Sequence, residues 1–170
     1  MDPIQYHPIG IIHTPHKTTE GTPIQPTGAI GVVGRIEIFA EYTAGLADLA
    51  GFSHIFILYH FHLSRKFSLK VKPFLDDQKR GLFATRAPSR PNPIGLSVVR
   101  LIDITESSLE IQDVDVVDGT PLLDIKPYVP EFDMRQVDKF GWIGEKTGKV
   151  EGVMDDGRFS TKIRSHSPPY

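Results

Sequence analysis

His54-Ile55-Phe56-Ile57-Leu58-Tyr59-His60-Phe61-His62 is the most apolar run of the chain, and its β-branched and aromatic residues make it a strand. Having almost no polar alternation, it is expected to be buried on both faces and to form the core strand. Upstream, Gly28 to Ile38 ends in a two-faced strand, with Arg35 and Glu37 on one side and Ile36 and Ile38 on the other. Further back, Ile4 to His13 alternates loosely, with Ile9 and Ile11 on one face and Ile12 on the other, and Pro3 and Pro8 limit it to an edge strand. Downstream, Lys66 to Lys72 alternates Phe67, Leu69 and Val71 with polar residues, as a half-exposed strand does. Leu96 to Ile104 and Leu109 to Val117 form a hairpin around Thr105-Glu106-Ser107-Ser108. A small hairpin is expected from Phe140 to Gly144 and Gly152 to Ile163. Helix is expected only over Ala40 to Leu49, where Tyr42, Leu46 and Leu49 recur at helical spacing and Gly51 follows. Strands outnumber helices and no Gly-x-Gly-x-x-Gly follows a strand, so the chain reads as mainly β and not as a Rossmann fold.

The length, 170 residues, suits a single domain. With 39% hydrophobic and 24% charged residues, the chain reads as soluble. No apolar run approaches the ~20 residues that span a bilayer, and Met1-Asp2-Pro3-Ile4-Gln5 lacks the basic and apolar regions of a signal peptide. A cytoplasmic location and no membrane partner are the expectation. The chain has no cysteine, which excludes disulfides, thiolate metal sites and a cysteine nucleophile. Net charge is −2, yet nine basic residues lie between Arg65 and Arg100 against only Asp76 and Asp77. That segment suits phosphate docking on an otherwise acidic chain.

Two dense motifs carry the candidate chemistry. In Gly81-Leu82-Phe83-Ala84-Thr85-Arg86-Ala87-Pro88-Ser89-Arg90-Pro91-Asn92-Pro93-Ile94-Gly95, three prolines fix φ and hold the residues before them extended. Arg86, Arg90 and Asn92 thus sit on a loop shaped in advance, and its terminal glycines allow close approach by a ligand. In the second motif, Asp115-Val116-Val117-Asp118-Gly119-Thr120-Pro121-Leu122-Leu123-Asp124-Ile125-Lys126-Pro127-Tyr128, Asp118-Gly119 permits a tight turn. Asp124, Lys126 and Tyr128 share one side if the segment is a strand. His60 and His62 have the spacing of a metal pair on one strand face, but no third ligand lies near in sequence. A hydrogen-bonded histidine is the better reading, and no metal is expected.

These motifs, together with Ile9-Gly10 to Thr14-Pro15, Phe52-Ser53-His54 to Phe61-His62 and Phe83-Ala84-Thr85-Arg86, occur here in one order. In them the sequence resembles the TrmO/YaeB family over about Pro8 to Phe132. The resemblance implies S-adenosyl-L-methionine-dependent enzymes that methylate N6 of threonylcarbamoyladenosine at position 37 of tRNA, next to the anticodon. It implies a single-domain, β-barrel-like fold with short helices, and a homodimer with the cofactor near the interface. Residues 1–132 would form the methyltransferase domain and 133–170 a C-terminal extension packed on it. Bacterial members carry an additional small C-terminal domain, whereas Asp133 to Tyr170 follow here.

Carried over motif by motif, the resemblance implies cofactor contacts at Pro23, Ile24, Gln25, His62, Leu63, Arg86, Leu96, Asp115, Val116, Val117 and Asp118. Arg86 would pair with the ligand carboxylate, Ile24 and Leu96 would flank the adenine, and the backbone of Val116 to Asp118 would read its edge. Candidates to receive the N6 proton or orient the acceptor are Asp118, Asp124, Lys126, Tyr128 and Asn92. The alternative is an adenosylmethionine- or RNA-binding module of the same fold without catalysis.

Overall fold

A computed structural model of the chain describes residues 2–64, 66–146 and 153–159. The strands are β1 (Gly10–His13), β2 (Val33–Ile38), β3 (His54–His60), β4 (Lys70–Val71), β5 (Arg80–Gly81), β6 (Ile94–Thr105), β7 (Ser108–Gln112) and β8 (Thr120–Pro127), followed by one helical turn, α1 (Pro130–Asp133). Six of them close into an antiparallel barrel in the order β1-β2-β7-β6-β3-β8, while β4 and β5 pair with each other as a separate arm. Inward residues of every barrel strand meet in one core that includes Ile12, Ile36, Ile55, Ile57, Val99, Leu109, Ile111 and Leu122, all with no exposed surface. Each such side chain contributes about 1.5–3 kcal/mol by leaving water.

Closure explains two departures from the sequence reading. First, β1 is no edge strand, because it pairs with β2 on one side and β8 on the other. Pro3 and Pro8 fall before it and remove no ladder hydrogen bond. Second, β3 is not buried on both faces. Ile55, Ile57 and Tyr59 point inward, and Phe56, Leu58 and His60 stay half-covered on the outer wall. That wall is apolar in its own right: Leu58 pairs with Leu96, which is 49% exposed, and the Phe56 ring meets Tyr128 at 5.5 Å.

The barrel bends at two bulges, one near Ile102 in β6 and one at Leu123 in β8. The second reverses the alternation of β8. Thr120 and Leu122 face in, Ile125 also packs on the core, and Asp124 and Lys126 come to lie outside opposite Leu58 and Phe56.

The expected helix over Ala40 to Leu49 is instead two 3-10 turns, Ala40–Leu46 and Leu49–Gly51, broken at Asp48 in the left-handed region (φ 64°). Neither turn has a side-chain cap, Gly45 weakens the first, and the break lets both Leu46 and Leu49 reach the core. Lys66 to Lys72 is strand only at Lys70–Val71, with Phe67 and Leu69 left exposed. β7 ends at Gln112 rather than Val117, because Asp113 turns the chain at φ 69°.

Residues 141–146 form a 3-10 turn, not a strand. Of the expected hairpin partner, Gly152 and residues 160–163 lie outside the described residues, as does Arg65 of the basic segment. A second small core, Val71, Leu82 and Ala87 with Phe159 against it, anchors the long 61–93 excursion. The chain near Met154 pairs with Pro23, and Trp142 Nε1 donates to the Ala84 carbonyl at 2.7 Å.

Candidate functional site

β1, β3 and β7 end, and β2, β6 and β8 begin, at the same mouth of the barrel, as their antiparallel registers require. The connections 14–32, 61–93 and 113–119 are therefore gathered at that mouth. They carry ten of the eleven cofactor positions that the family resemblance implies, all but Leu96. Arg86 Nη1 donates to Gln25 Oε1 at 2.9 Å, which joins two of these segments directly. Arg86 has no ion pair with any described residue, so an exposed cation stands at the mouth bonded only to a neutral amide. A ligand carboxylate fits that arrangement.

Beside it a polar chain runs from the buried interior to half-buried Asp115. Tyr59, nearly fully buried at the end of β3, has its hydroxyl 3.1 Å from Ser97 Oγ, and Ser97 donates to Asp115 Oδ1 at 2.7 Å. Burial raises the Asp115 carboxyl to a pKa of about 6, held back by the Ser97 hydrogen bond and by the charge of Arg86. Burial raises the Tyr59 phenol strongly as well, so it stays protonated. Gly95 makes room for the ring: a Cβ there would collide with Tyr59. This glycine admits a side chain of the protein itself, rather than the ligand approach inferred from sequence.

His62 lies in the turn after β3, its amide donating to the His60 carbonyl at 2.8 Å, so the two rings do not share a strand face. Burial, and then the neighbouring His60, lower the His62 pKa, and its Nδ1 is 3.4 Å from Thr120 Oγ1. Among the described residues no group of three His or carboxylate side chains could hold a metal ion. Leu63 is exposed beside His62, and Pro23 and Ile24 are covered by the 153–155 segment, to which Ile24 donates. Val116 is buried with its carbonyl accepting from Thr14 Oγ1 at 2.9 Å, and Val117 O accepts from Thr120 Oγ1 at 2.6 Å. Two of the carbonyls expected to read the ligand edge are thus already engaged.

The remaining sequence candidates are dispersed. Asp118 accepts the Thr14 amide at 3.0 Å and Lys17 Nζ at 2.7 Å, bonds that lower its pKa and keep it ionised. Its carboxylate borders a shallow outer cleft of about 610 Å³ in which the cations are already paired, Lys17 with Asp118 and Arg35 with Glu37. That compensation makes the cleft a poorer ligand site than the mouth. Asp124 and Lys126 form an exposed pair at 2.8 Å on the outer wall, with Tyr128 beyond them. Leu96 faces outward on the same wall, and Asn92 is exposed on the proline-held loop. Sequence reasoning missed Tyr59 and Ser97. The usable signal was a tyrosine on the inward phase of β3, since a buried hydroxyl needs a partner.

An antiparallel barrel closed over three loops, with charge and polar groups converging at one mouth and no doubly wound sheet, defines a class apart from Rossmann nucleotide-binding proteins. Within that class, residues 11–134 match the model of the tRNA-methyltransferase O N-terminal domain, and the chain belongs to this TrmO family. A protein of Pyrococcus abyssi described as a probable S-adenosyl-L-methionine-binding protein is 53% identical over 92% of this chain and 85% of its own. The tRNA (adenine(37)-N6)-methyltransferase of Escherichia coli is 36% identical over 76% of this chain and 60% of its own length. Among solved structures, a crystal structure of TrmO superposes with a TM-score of 0.71 at 37% identity, covering 82% of this chain and 64% of that one.

Proposed function

We propose that this protein is an S-adenosyl-L-methionine-dependent tRNA methyltransferase acting on N6 of the adenine at position 37, with threonylcarbamoyladenosine as the acceptor nucleoside. The observation that carries the reading is the Arg86–Gln25 contact, which joins two cofactor-assigned segments at one mouth of a TrmO-family barrel, with the charge of Arg86 felt by Asp115 of a third. Adenosylmethionine, when bound, supplies a methyl group on a sulfonium that leaves readily. The chain's own task is then positioning and exclusion of water. Arg86 holds the carboxylate end, the Pro23 to Gln25 and His62 to Leu63 segments enclose the rest, and neutral His62 adds no competing charge. As the new N–CH3 bond forms, the N6–H bond gives up its proton. Asp115, with a pKa of about 6, has a proton affinity suited to that transfer near neutrality.

The reading includes a homodimer built on the apolar outer wall of β3 and β6, where Leu58 stands opposite Leu96, and Ile94, opposite His60, is 38% exposed. It takes residues 1–132 as the catalytic domain and 133–170 as an extension packed on it, supported by the Trp142–Ala84 and Phe159–Phe74 contacts. It assigns a cytoplasmic location, where the substrate tRNA resides. A binding module without catalysis is favoured only by the archaeal relatives described as adenosylmethionine-binding proteins. Isothermal titration with adenosylmethionine, followed by transfer of labelled methyl to tRNA, separates the two: binding with transfer supports the enzyme, and binding without transfer supports the module.

A further inference from the structure

Phe83 precedes the Ala84-Thr85-Arg86 stretch at the barrel mouth. Phe83 is 76% exposed, the most exposed aromatic ring among the described residues, whereas Leu82 beside it is 1% exposed. Its turn is rigid. The Thr85 amide and hydroxyl both bond the Leu82 carbonyl, Trp142 Nε1 bonds the Ala84 carbonyl, and Arg90 Nη1 bonds the carbonyls of Thr85 and Ala87. The Arg90 guanidinium, so pinned, lies 5.8 Å from the Phe83 ring centroid, and Arg80 lies 5.9 Å from the Trp142 ring. Leu82 also donates to the Leu69 carbonyl, which brings the β4 arm, with exposed Phe67 and Leu69, alongside. Lys66, Lys70 and Lys79 on that arm make no ion pair with any described residue, whereas Lys72 is held by Asp77 and Arg80 by Asp76.

A single exposed phenylalanine is ordinary. A rigidly mounted one, backed by an arginine and set among uncompensated lysines, has the composition of a surface that stacks bases and neutralises phosphates. An apolar protein partner would meet those charges at a desolvation cost. Phe83 and Arg86 are three positions apart, so their Cα atoms are at most about 10 Å from each other. A nucleotide next to the one being methylated is within that reach.

We infer that Phe83 is a stacking platform for an unpaired base of the RNA substrate, flanking the nucleotide that enters the barrel mouth. This rests on the tRNA-methyltransferase reading above. It requires no sequence preference at that base, because every base has a face to stack.

The test measures binding of a synthetic anticodon stem-loop RNA and of adenosylmethionine to the full chain as wild type, Phe83→Ala and Phe83→Trp. The expected result is RNA binding weakened roughly five- to 150-fold in Phe83→Ala, the loss of one base stack, with binding retained in Phe83→Trp and adenosylmethionine affinity unchanged in both. Wild-type RNA affinity in Phe83→Ala, while the wild type binds RNA, overturns the platform alone. A wild type that binds adenosylmethionine but no RNA overturns the functional reading and the platform with it. Unchanged RNA affinity accompanied by altered self-association in light scattering overturns the platform and assigns the ring to a protein contact.

Discussion

The Ser97 hydroxyl donates to Asp115 Oδ1 at 2.7 Å while its oxygen lies 3.1 Å from the Tyr59 hydroxyl, so a loop carboxylate is tethered to the inner wall of the barrel. This link couples the inner wall of the barrel to the mouth where the 14–32, 61–93 and 113–119 connections gather.

The first consequence is a pH dependence. Asp115 titrates near 6 in the folded protein, well above its ordinary value of 3.8, so between those two values the folded state holds more proton than the unfolded one. Stability therefore falls as pH rises through that window. Asp115→Asn, which keeps an oxygen for Ser97 but has no charge to bury, should lose less stability than the wild type between about pH 4 and about pH 7. Urea midpoints at the two pH values check this. Parallel behaviour of the two proteins would mean that Asp115 is not held in a desolvated site.

Removing Arg86 should act on the ligand and on Asp115 together. Arg86→Ala deletes a charge-assisted contact worth about 1.5–3 kcal/mol, or roughly ten- to hundredfold in adenosylmethionine affinity. It should also move the Asp115 midpoint upward, because the guanidinium is one of the groups holding it down. Titration calorimetry and carboxyl carbon NMR read the two effects. An unchanged affinity in a folded variant would remove Arg86 from the site.

Gly95→Ala tests the packing under the site. The added methyl would strike the Tyr59 ring, so the ring must shift and loosen its hydroxyl from Ser97. Overpacking of this kind costs about 1–3 kcal/mol, visible as a lower thermal or urea midpoint. Unchanged stability would show that Tyr59 has room to move.

The arm yields an ionic prediction. Lys66→Gln with Lys70→Gln removes two cations that make no ion pair with described residues, and should flatten the slope of log K against log salt for tRNA binding by about 1.4 to 1.8. Lys72, already paired with Asp77, should add less than its companions. No change in slope would mean that RNA phosphates lie elsewhere.

The barrel was largely legible in the sequence because its strands announce themselves by period: Ile36 and Ile38 against Arg35 and Glu37, and the apolar run of β3. What misled was the outer wall. Phe56, Leu58 and Leu96 are apolar without being core, so β3 read as buried on both faces, and closure cannot be seen from a single strand such as β1. Arg86 and Asp115 could be singled out through the family motifs, and the fold brings their segments to one mouth. The Ser97 and Tyr59 support was not, because it depends on a contact between residues 38 positions apart. The bulge at Leu123 was equally invisible, and it sends Asp124 and Lys126 to the outside of the barrel.

The reaction proposed for this protein is methyl transfer to tRNA at adenine 37. The most direct measurement incubates the wild-type chain with methyl-labelled adenosylmethionine and tRNA bearing threonylcarbamoyladenosine, then digests the RNA and identifies the labelled nucleoside by mass spectrometry. The expected result is label in N6-methylated threonylcarbamoyladenosine, abolished or strongly reduced in Arg86→Ala. Adenosylmethionine bound by the protein with no label entering that tRNA would contradict it.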